Sequence, residues 1–232
     1  MSDMVWGGLY EGFAMILRGD AELYGIVFLS LRCTALATLA ACCIGIPLAF
    51  SLLNYAFPGK RAVIALVSTL QALPTVVVGL FLYVFLSRRG IFGHWDLLYS
   101  WKAIAMGQFI LLLPIITMFI LAALSRLDER YRQTALTLGA AEWQAALTVL
   151  REARFAVIAA MLAAFGRGIA EVGVSMMLGG NIKGFTRTIT TAMALEYDKG
   201  EFTLAMALGV ILLFISFLLN GALAFFQGRA GE

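Results

Sequence analysis

Histidine, paired cysteines and nucleotide-binding glycine loops are almost absent from this sequence of 232 residues. His94 is the only histidine, which excludes a bis-histidine haem site and an HExxH zinc site. Cys33, Cys42 and Cys43 lie in one apolar run, so they are predicted to be small buried hydrophobes rather than a disulfide framework or a CxxC metal site. No G-x-x-x-x-G-K-[ST] segment occurs, so the chain is predicted to have no ATP site of its own.

Charged residues are also scarce, at 13% of the chain against 62% hydrophobic residues, and the mean hydropathy is +0.91. A typical soluble domain has about twice that charged fraction. The net charge of +3 is spread along the chain, which argues against a nucleic-acid-binding or membrane-surface patch. The composition therefore predicts a polytopic membrane protein.

Long apolar segments predict an all-α protein with five transmembrane helices. The five predicted spans are Leu23 to Leu53, Val63 to Leu86, Ala103 to Leu124, Phe155 to Leu178 and Phe202 to Phe226. Residues 1–21 have a weaker amphipathic pattern that predicts an interfacial helix. Pro74 is expected to break the second span, and Pro47 and Pro114 are expected to bend the first and the third. Residues 179–199 are predicted to be a connection rich in Gly and Thr.

The stretch from Tyr131 to Glu152 is the one long polar island between the spans. Gly139 is expected to allow a left-handed turn between two helical pieces. Apolar residues at steps of three and four predict one apolar face, which would contain Leu136, Ala140, Trp143, Leu147 and Leu150. The stretch is therefore predicted to be an amphipathic helical hairpin that presents a small helix to a partner. A plain amphipathic connector is the alternative.

Gln133, Thr134 and Ala135, followed after three residues by Gly139, resemble the E-A-A-x-x-x-G cytoplasmic loop of bacterial ABC importer permeases of the type I fold. In that family the loop forms a coupling helix that docks into a groove on the ATPase subunit. Gln133 stands in the place of Glu, and Thr134 in the place of the first Ala. The resemblance implies that residues 126–154 are the coupling loop. Its implied contact residues are Gln133, Thr134, Ala135, Gly139, Ala140 and Trp143.

A second resemblance concerns the substrate. The block from Gly166 to Glu196 resembles the oxyanion branch of these permeases, the importers of molybdate, tungstate and sulfate. Arg151 and Glu152 stand where many members have Leu-Pro, and the tungstate permeases share that departure. The resemblance implies one permease domain over residues 1–232 that transports tungstate or molybdate. Sulfate or another anion is the alternative.

The resemblance also implies the partners of the chain. Two cytoplasmic ABC ATPase subunits would bind ATP and Mg and hydrolyse ATP, so this chain would be no enzyme and would hold no cofactor. A second copy would complete a homodimer, and an extracytoplasmic binding protein would deliver the anion. The coupling loop places the amino terminus outside and the carboxyl terminus in the cytoplasm of a bacterial or archaeal inner membrane. A slight excess of Lys and Arg on the loop side agrees with this orientation.

An anion path through the spans needs polar groups, because a bare ion in hydrocarbon costs roughly tens of kcal/mol. Arg167 and Glu171 lie four residues apart in the fourth span, where ionisable residues are functional candidates. They are either an ion pair that neutralises itself or part of the path or its gate. The path candidates are Ser68, Gln71, Thr75, Gln108, Thr117, Arg167, Glu171, Ser175, Asn181, Thr188, Thr190 and Thr191. For each polar residue a hydrogen bond between helices is the alternative. The region of Pro74 resembles the gate-proximal helix of the importer family, and plain packing is the alternative for its kink.

Two other classes of membrane protein compete with the importer interpretation. A membrane-embedded enzyme would need a nucleophile or a metal constellation that one histidine and scattered carboxylates do not provide. A secondary transporter or channel would not need the coupling loop, and secondary transporters usually have internal repeats, which this sequence lacks. The importer permease is therefore the predicted class.

Overall fold

The computed structural model describes residues 2–128 and 130–230, which contain eleven α-helices, one short 3-10 turn at Gly93–Trp95 and no strand. The all-α prediction is confirmed. The helices are α1 (Ser2–Arg18), α2 (Ala21–Asn54), α3 (Lys60–Leu70), α4 (Thr75–Leu86), α5 (Trp101–Leu124), α6 (Arg130–Thr137), α7 (Glu142–Glu152), α8 (Arg154–Ile169), α9 (Gly173–Gly179), α10 (Ile189–Lys199) and α11 (Phe202–Ala230).

Helices α2 and α5 pack together along the centre of the bundle. Ala37, Ala41 and Gly45 of α2 are buried in this contact region. A Cβ on Gly45 would lie 3.1 Å from the side chain of Ile116, so the two backbones approach closely. Small residues at helix contacts are the usual means by which helices associate in membranes.

Three helices in the described part of the chain, α2, α5 and α11, are each long and apolar enough to cross a membrane. The pairs α3 with α4 and α8 with α9 are long enough only when each pair is taken together as one broken span. Counting each pair once gives the five spans that the sequence predicts. The number five stays a prediction, because length and composition alone support it.

The second span, predicted from Val63 to Leu86 with a break at Pro74, is two separate helices. Helix α3 ends at Leu70 and α4 begins at Thr75, and the two are bent by 97°. Pro74 explains the break, because proline has no N–H to donate and disfavours the α conformation of the residue before it. Pro74 is the extended N-cap residue of α4.

The fourth span, predicted as one helix from Phe155 to Leu178, is also two helices. Helix α8 ends at Ile169 and α9 begins at Gly173, with a bend of 58°. Glu171 lies in the break, where its carboxylate accepts a hydrogen bond of 3.3 Å from the N–H of Val174. This bond satisfies one of the free N–H groups at the start of α9.

The two breaks lie against each other at Gly173. A Cβ on Gly173 would lie 2.6 Å from Oγ1 of Thr75 and 3.0 Å from the backbone nitrogen of Val76. Glycine is therefore the residue that allows the start of α9 to lie this close to the start of α4.

We expect Gly173→Ala to lower the stability of the folded permease by about 1 to 3 kcal/mol, the usual cost of overpacking. The reduction would appear as a lower thermal unfolding temperature of the purified protein. Gly166→Ala is the matched control, because the nearest atom to a Cβ there is 3.9 Å away. Equal unfolding temperatures for the two variants would contradict the close approach of the breaks.

The segment from Gly179 to Lys199 is not the plain connection that the sequence predicts. Its last eleven residues form α10, and the three residues directly before that helix, Thr186, Arg187 and Thr188, are buried. The N–H of Thr188 donates to Oγ1 of Thr191 at 3.0 Å and so caps the helix. Arg187 is buried between the carboxylates of Glu22 and Glu196, at 3.5 and 3.4 Å. These paired charges allow a polar segment to lie inside the protein.

The cysteine prediction is wrong for one residue. Cys33 and Cys42 are buried as expected, but Cys43 is exposed. Successive residues of a helix point about 100° apart, so neighbours such as Cys42 and Cys43 cannot both face the α5 contact.

Helix α1 packs against the first turns of α11. A Cβ on Gly12 of α1 would lie 3.1 Å from the backbone nitrogen of Ala207. The hydroxyl of Thr203 donates to the carboxylate of Glu11 at 3.1 Å. The prediction of a helix within residues 1–21 is confirmed for Ser2–Arg18, and Met1 lies outside the described residues. The interfacial position of this helix stays a prediction.

Candidate functional site

The polar stretch between the spans forms the predicted helical hairpin. Helices α6 and α7 are joined by a turn in which Gly139 has a φ of +86°, the left-handed conformation that favours glycine. A salt bridge of 2.8 Å joins Arg132 of α6 to Glu142 of α7. At the start of α7 the side-chain oxygen of Gln144 accepts a 2.8 Å hydrogen bond from the N–H of Ala141. The hairpin is thus held by its own polar groups.

The hairpin exposes three large apolar side chains, which we call the hairpin patch: Leu138, Trp143 and Leu147. They are 82%, 68% and 45% exposed, respectively. Trp143 and Leu147 lie one turn apart on α7, and Leu138 lies in the turn beside Gly139. Exposed apolar groups with polar neighbours are typical of a protein contact site.

The single apolar face predicted from Leu136 to Leu150 is wrong. Helices α6 and α7 are separate, so residue spacing counted across Gly139 does not define one side. Toward the rest of the protein α7 instead buries Ala145 and Val149. Leu138 is a contact candidate that the periodicity does not predict. The sequence feature that indicates it is a large apolar residue directly before a turn glycine.

The other predicted coupling residues lie next to the hairpin patch. Gln133 and Thr134 are exposed, and Ala135 and Ala140 are half-buried. The N–H of Ala140 donates to the carbonyl of Ala135 at 3.1 Å, which closes the end of α6. No atom in the described part of the chain lies within 4 Å of a Cβ built on Gly139, so its φ angle alone favours glycine. Contact of these residues with an ATPase stays a prediction.

Five of the predicted path residues line one small cavity at the two breaks, which we call the break cavity. Its polar lining consists of Gln71, Thr75, Gln108, Arg167 and Glu171. The space for water in it is about 10 Å³, which is room for about one water molecule. The structure thus brings together groups from the end of α3, from α4, α5 and α8, and from the break after α8.

Arg167 and Glu171 form an ion pair of 3.0 Å between Nη1 and Oε2. The Glu171 side chain is 4% exposed, whereas that of Arg167 is 51% exposed. The two residues do not share one helical face, because α8 ends at Ile169 and Glu171 lies beyond it. The carbonyl of Glu171 also accepts a hydrogen bond of 2.7 Å from the hydroxyl of Thr190. Glu171 therefore connects α8, α9 and α10.

Gln108 bridges α5 to the last turn of α8. Its side-chain nitrogen donates to the carbonyl of Gly168 at 3.3 Å. Its side-chain oxygen is buried and has no hydrogen-bond partner among residues 2–128 and 130–230. The break cavity therefore contains a free acceptor and a half-exposed cation.

Seven predicted path residues do not line the break cavity: Ser68, Thr117, Ser175, Asn181, Thr188, Thr190 and Thr191. Ser175 is fully buried in α9, and its hydroxyl has no partner in the described part of the chain. Asn181 donates from its side chain to the carbonyl of Thr191 at 3.0 Å, and Thr190 donates to Glu171. For Asn181 and Thr190 the structure shows the alternative that the sequence left open, a hydrogen bond between elements.

Comparison with known proteins gives consistent matches. The family model of binding-protein-dependent transport system inner membrane components matches residues 41–231. The tungstate uptake system permease protein TupB of Campylobacter jejuni is 37% identical, over 94% of this chain and 91% of its own. The molybdenum transport system permease protein ModB of Escherichia coli is 32% identical, over 89% and 96%.

A solved structure shares the fold. A chain of the MetNI methionine ABC transporter in an inward-facing conformation superposes with a TM-score of 0.70 over 90% of this chain and 95% of that chain. The two sequences are 18% identical, so this likeness concerns the fold alone.

Proposed function

The chain belongs to the binding-protein-dependent transport system inner membrane components, the permeases of ABC importers, and on that premise we propose that it carries tungstate or molybdate. The identity of more than 30% to relatives named for these two oxyanions, over most of each chain, supports the substrate class. A separate ATPase subunit supplies the energy of ATP hydrolysis, since the sequence has no Walker A segment.

The proposed location of the anion path rests on one observation. Arg167, a charged residue, is half-exposed within a predicted span. A charged side chain that faces hydrocarbon costs about 2.5 to 3.5 kcal/mol on insertion scales, and more by simulation. The face that bears Arg167 therefore turns away from lipid. Gln71 and Thr75 line the same break cavity, so this face offers hydrogen-bonding groups to an ion.

A second copy of the chain completes the path in this proposal. One chain offers Arg167 on an open face rather than in a closed channel, and oligomers of identical chains are commonly two-fold symmetric. Two copies that meet at this face would enclose a path on their two-fold axis. The hairpin patch of each copy would dock on one of two cytoplasmic ATPase subunits, with the amino terminus outside and the carboxyl terminus inside.

In this proposal the break cavity has to widen before an anion can pass. A break cavity that holds about one water molecule has no room for a tetrahedral oxyanion. Closure of the two ATPase subunits would move the hairpins and open the cavity at the two breaks, where the spans lack continuous helix. A binding protein outside would deliver the anion and select it.

Weak binding inside the permease follows from the charges of the break cavity. The Arg167 cation is already paired with Glu171, so the site offers one shared guanidinium and neutral amide and hydroxyl groups. Such a site solvates an anion but binds it weakly, and weak binding allows the anion to leave during transport.

We expect proteoliposomes that contain the permease, its ATPase and its binding protein to accumulate tungstate and molybdate only when ATP is supplied. Vesicles without ATP are the control. Accumulation driven by an ion gradient without ATP would indicate a secondary transporter instead. Preferential uptake of sulfate with the same binding protein would exclude the proposed substrate class.

A further inference from the structure

A second charged site lies at the end of the bundle opposite the hairpin. It is a groove of about 410 Å³ between the first turns of α2 and the turn that precedes α10, and we call it the outer groove. Its lining includes Glu22, Phe28, Arg32, Lys183, Phe185 and Arg187. None of these residues lines the break cavity.

The outer groove has an excess of positive charge. Lys183 pairs with Glu22 at 2.6 Å, and the buried Arg187 lies 3.5 Å from the same carboxylate. The guanidinium of Arg32 lies 4.0 Å from the centre of the Trp101 ring. Among the described residues no carboxylate lies within 4.0 Å of Arg32. Three cations thus face two carboxylates, Glu22 and the Glu196 that also pairs with Arg187, and among the described residues Arg32 is left without an anionic partner.

Arg32 lies at the level where a membrane surface is expected. Trp101 is the first residue of α5, and tryptophan is typical of the membrane interface. The part of α2 from Arg32 to its end at Asn54 is about 33 Å long at 1.5 Å per residue. That length matches the hydrocarbon thickness of about 30 Å. The guanidinium is therefore placed among the lipid headgroups.

An apolar track leads from Arg32 toward the middle of the membrane. Leu36 and Leu39 lie one and two turns along α2 on the same helical face, and both are exposed. Phe28 lies one turn before Arg32 and is exposed as well. A cation at headgroup level can bind the phosphate of a phospholipid, and the exposed leucines below it can contact an acyl chain.

We propose that the outer groove binds the phosphate of an anionic phospholipid through Arg32 and Lys183, with an acyl chain along Leu36 and Leu39. A free oxyanion shares the phosphate chemistry, but it would make no use of the exposed leucines. The lipid is therefore the occupant that accounts for both the charges and the apolar track.

Native mass spectrometry of the full-length permease in detergent, with added phosphatidylglycerol or phosphatidylcholine, tests this proposal. Phosphatidylglycerol is expected to stay bound and phosphatidylcholine to dissociate. Arg32→Gln and Lys183→Gln should each weaken phosphatidylglycerol binding about fivefold, the usual contribution of one basic residue near an anionic membrane. Lys102→Gln is the matched control, because Lys102 lies near Trp101 but does not line the groove.

Three results would overturn the proposal. One is equal retention of the two lipids by the unmodified chain, and another is an equal loss in Lys102→Gln and Lys183→Gln. The third is displacement of phosphatidylglycerol by millimolar inorganic phosphate, which would identify a free-oxyanion site. Lys183 is exposed at the rim, so its variant keeps the test valid if Arg32→Gln does not fold.

Discussion

Replacing Trp143 with alanine is expected to release the ATPase subunits from the permease. The indole is 68% exposed in the single chain and lies at the centre of the hairpin patch, between Leu138 and Leu147 in sequence. Exposed tryptophans that become buried in a contact commonly contribute 2 kcal/mol or more to binding. The affinity for the ATPase should therefore fall about 30-fold or more, and uptake should fall with it.

Affinity of purified permease for its ATPase, measured with and without Trp143→Ala, checks this expectation. Leu213→Ala is the matched control, because Leu213 is a similarly exposed apolar residue on α11, away from the hairpin. The control should keep full ATPase affinity. An unchanged affinity of the Trp143→Ala variant would show that the hairpin patch is not the contact surface.

Neutralising Arg167 is expected to destabilise the permease more than neutralising Glu171. Arg167→Gln leaves the carboxylate of Glu171 buried at 4% exposure and without its cation. Breaking a buried pair costs about 3 to 5 kcal/mol, and the value should lie near the lower end because Arg167 itself is half-exposed. Glu171→Gln leaves a half-exposed guanidinium that water still solvates, and its amide oxygen still accepts the N–H of Val174.

The double variant Arg167→Gln with Glu171→Gln separates stability from transport. Its thermal unfolding temperature should recover most of the loss seen in Arg167→Gln, because no unpaired charge remains buried. Uptake should stay low, since the proposed path has lost the one cation among the described residues that line the break cavity. A double variant that transports at the normal rate would assign the pair to folding alone.

The hairpin is the part of the site that the sequence predicts best. A glycine in a polar stretch predicts a left-handed turn, and Gly139 adopts it. Pro74 likewise predicts an interruption, since proline acts on its own neighbours in the chain. The bend of 97° between α3 and α4 is not set by neighbouring residues in the chain alone. The packing of Gly173 against Thr75 accompanies it, and no residue spacing in the sequence reveals that contact.

The buried residues directly before α10 show why the rest of the fold is not predicted from the sequence. Arg187 in a segment rich in Gly and Thr looks like a residue of a solvated loop, yet it is buried. Its partner Glu22 lies 165 positions earlier in the chain, so the pair exists only in three dimensions. The periodicity around Trp143 fails for a related reason, because it extends across a turn that separates two helices.

Cross-linking of two copies at the break between α8 and α9 tests most directly whether the Arg167 face encloses the path. Val172 is exposed in that break, so Val172→Cys, in a Cys43→Ser background, would place a thiol beside Glu171. A short bis-maleimide is expected to join two such chains in membranes, in a yield that changes when the ATPase binds ATP. Leu213→Cys, on the exposed face of α11, should stay monomeric. Cross-linking at Leu213 with none at Val172 would place the two-fold contact on α11 and contradict the account.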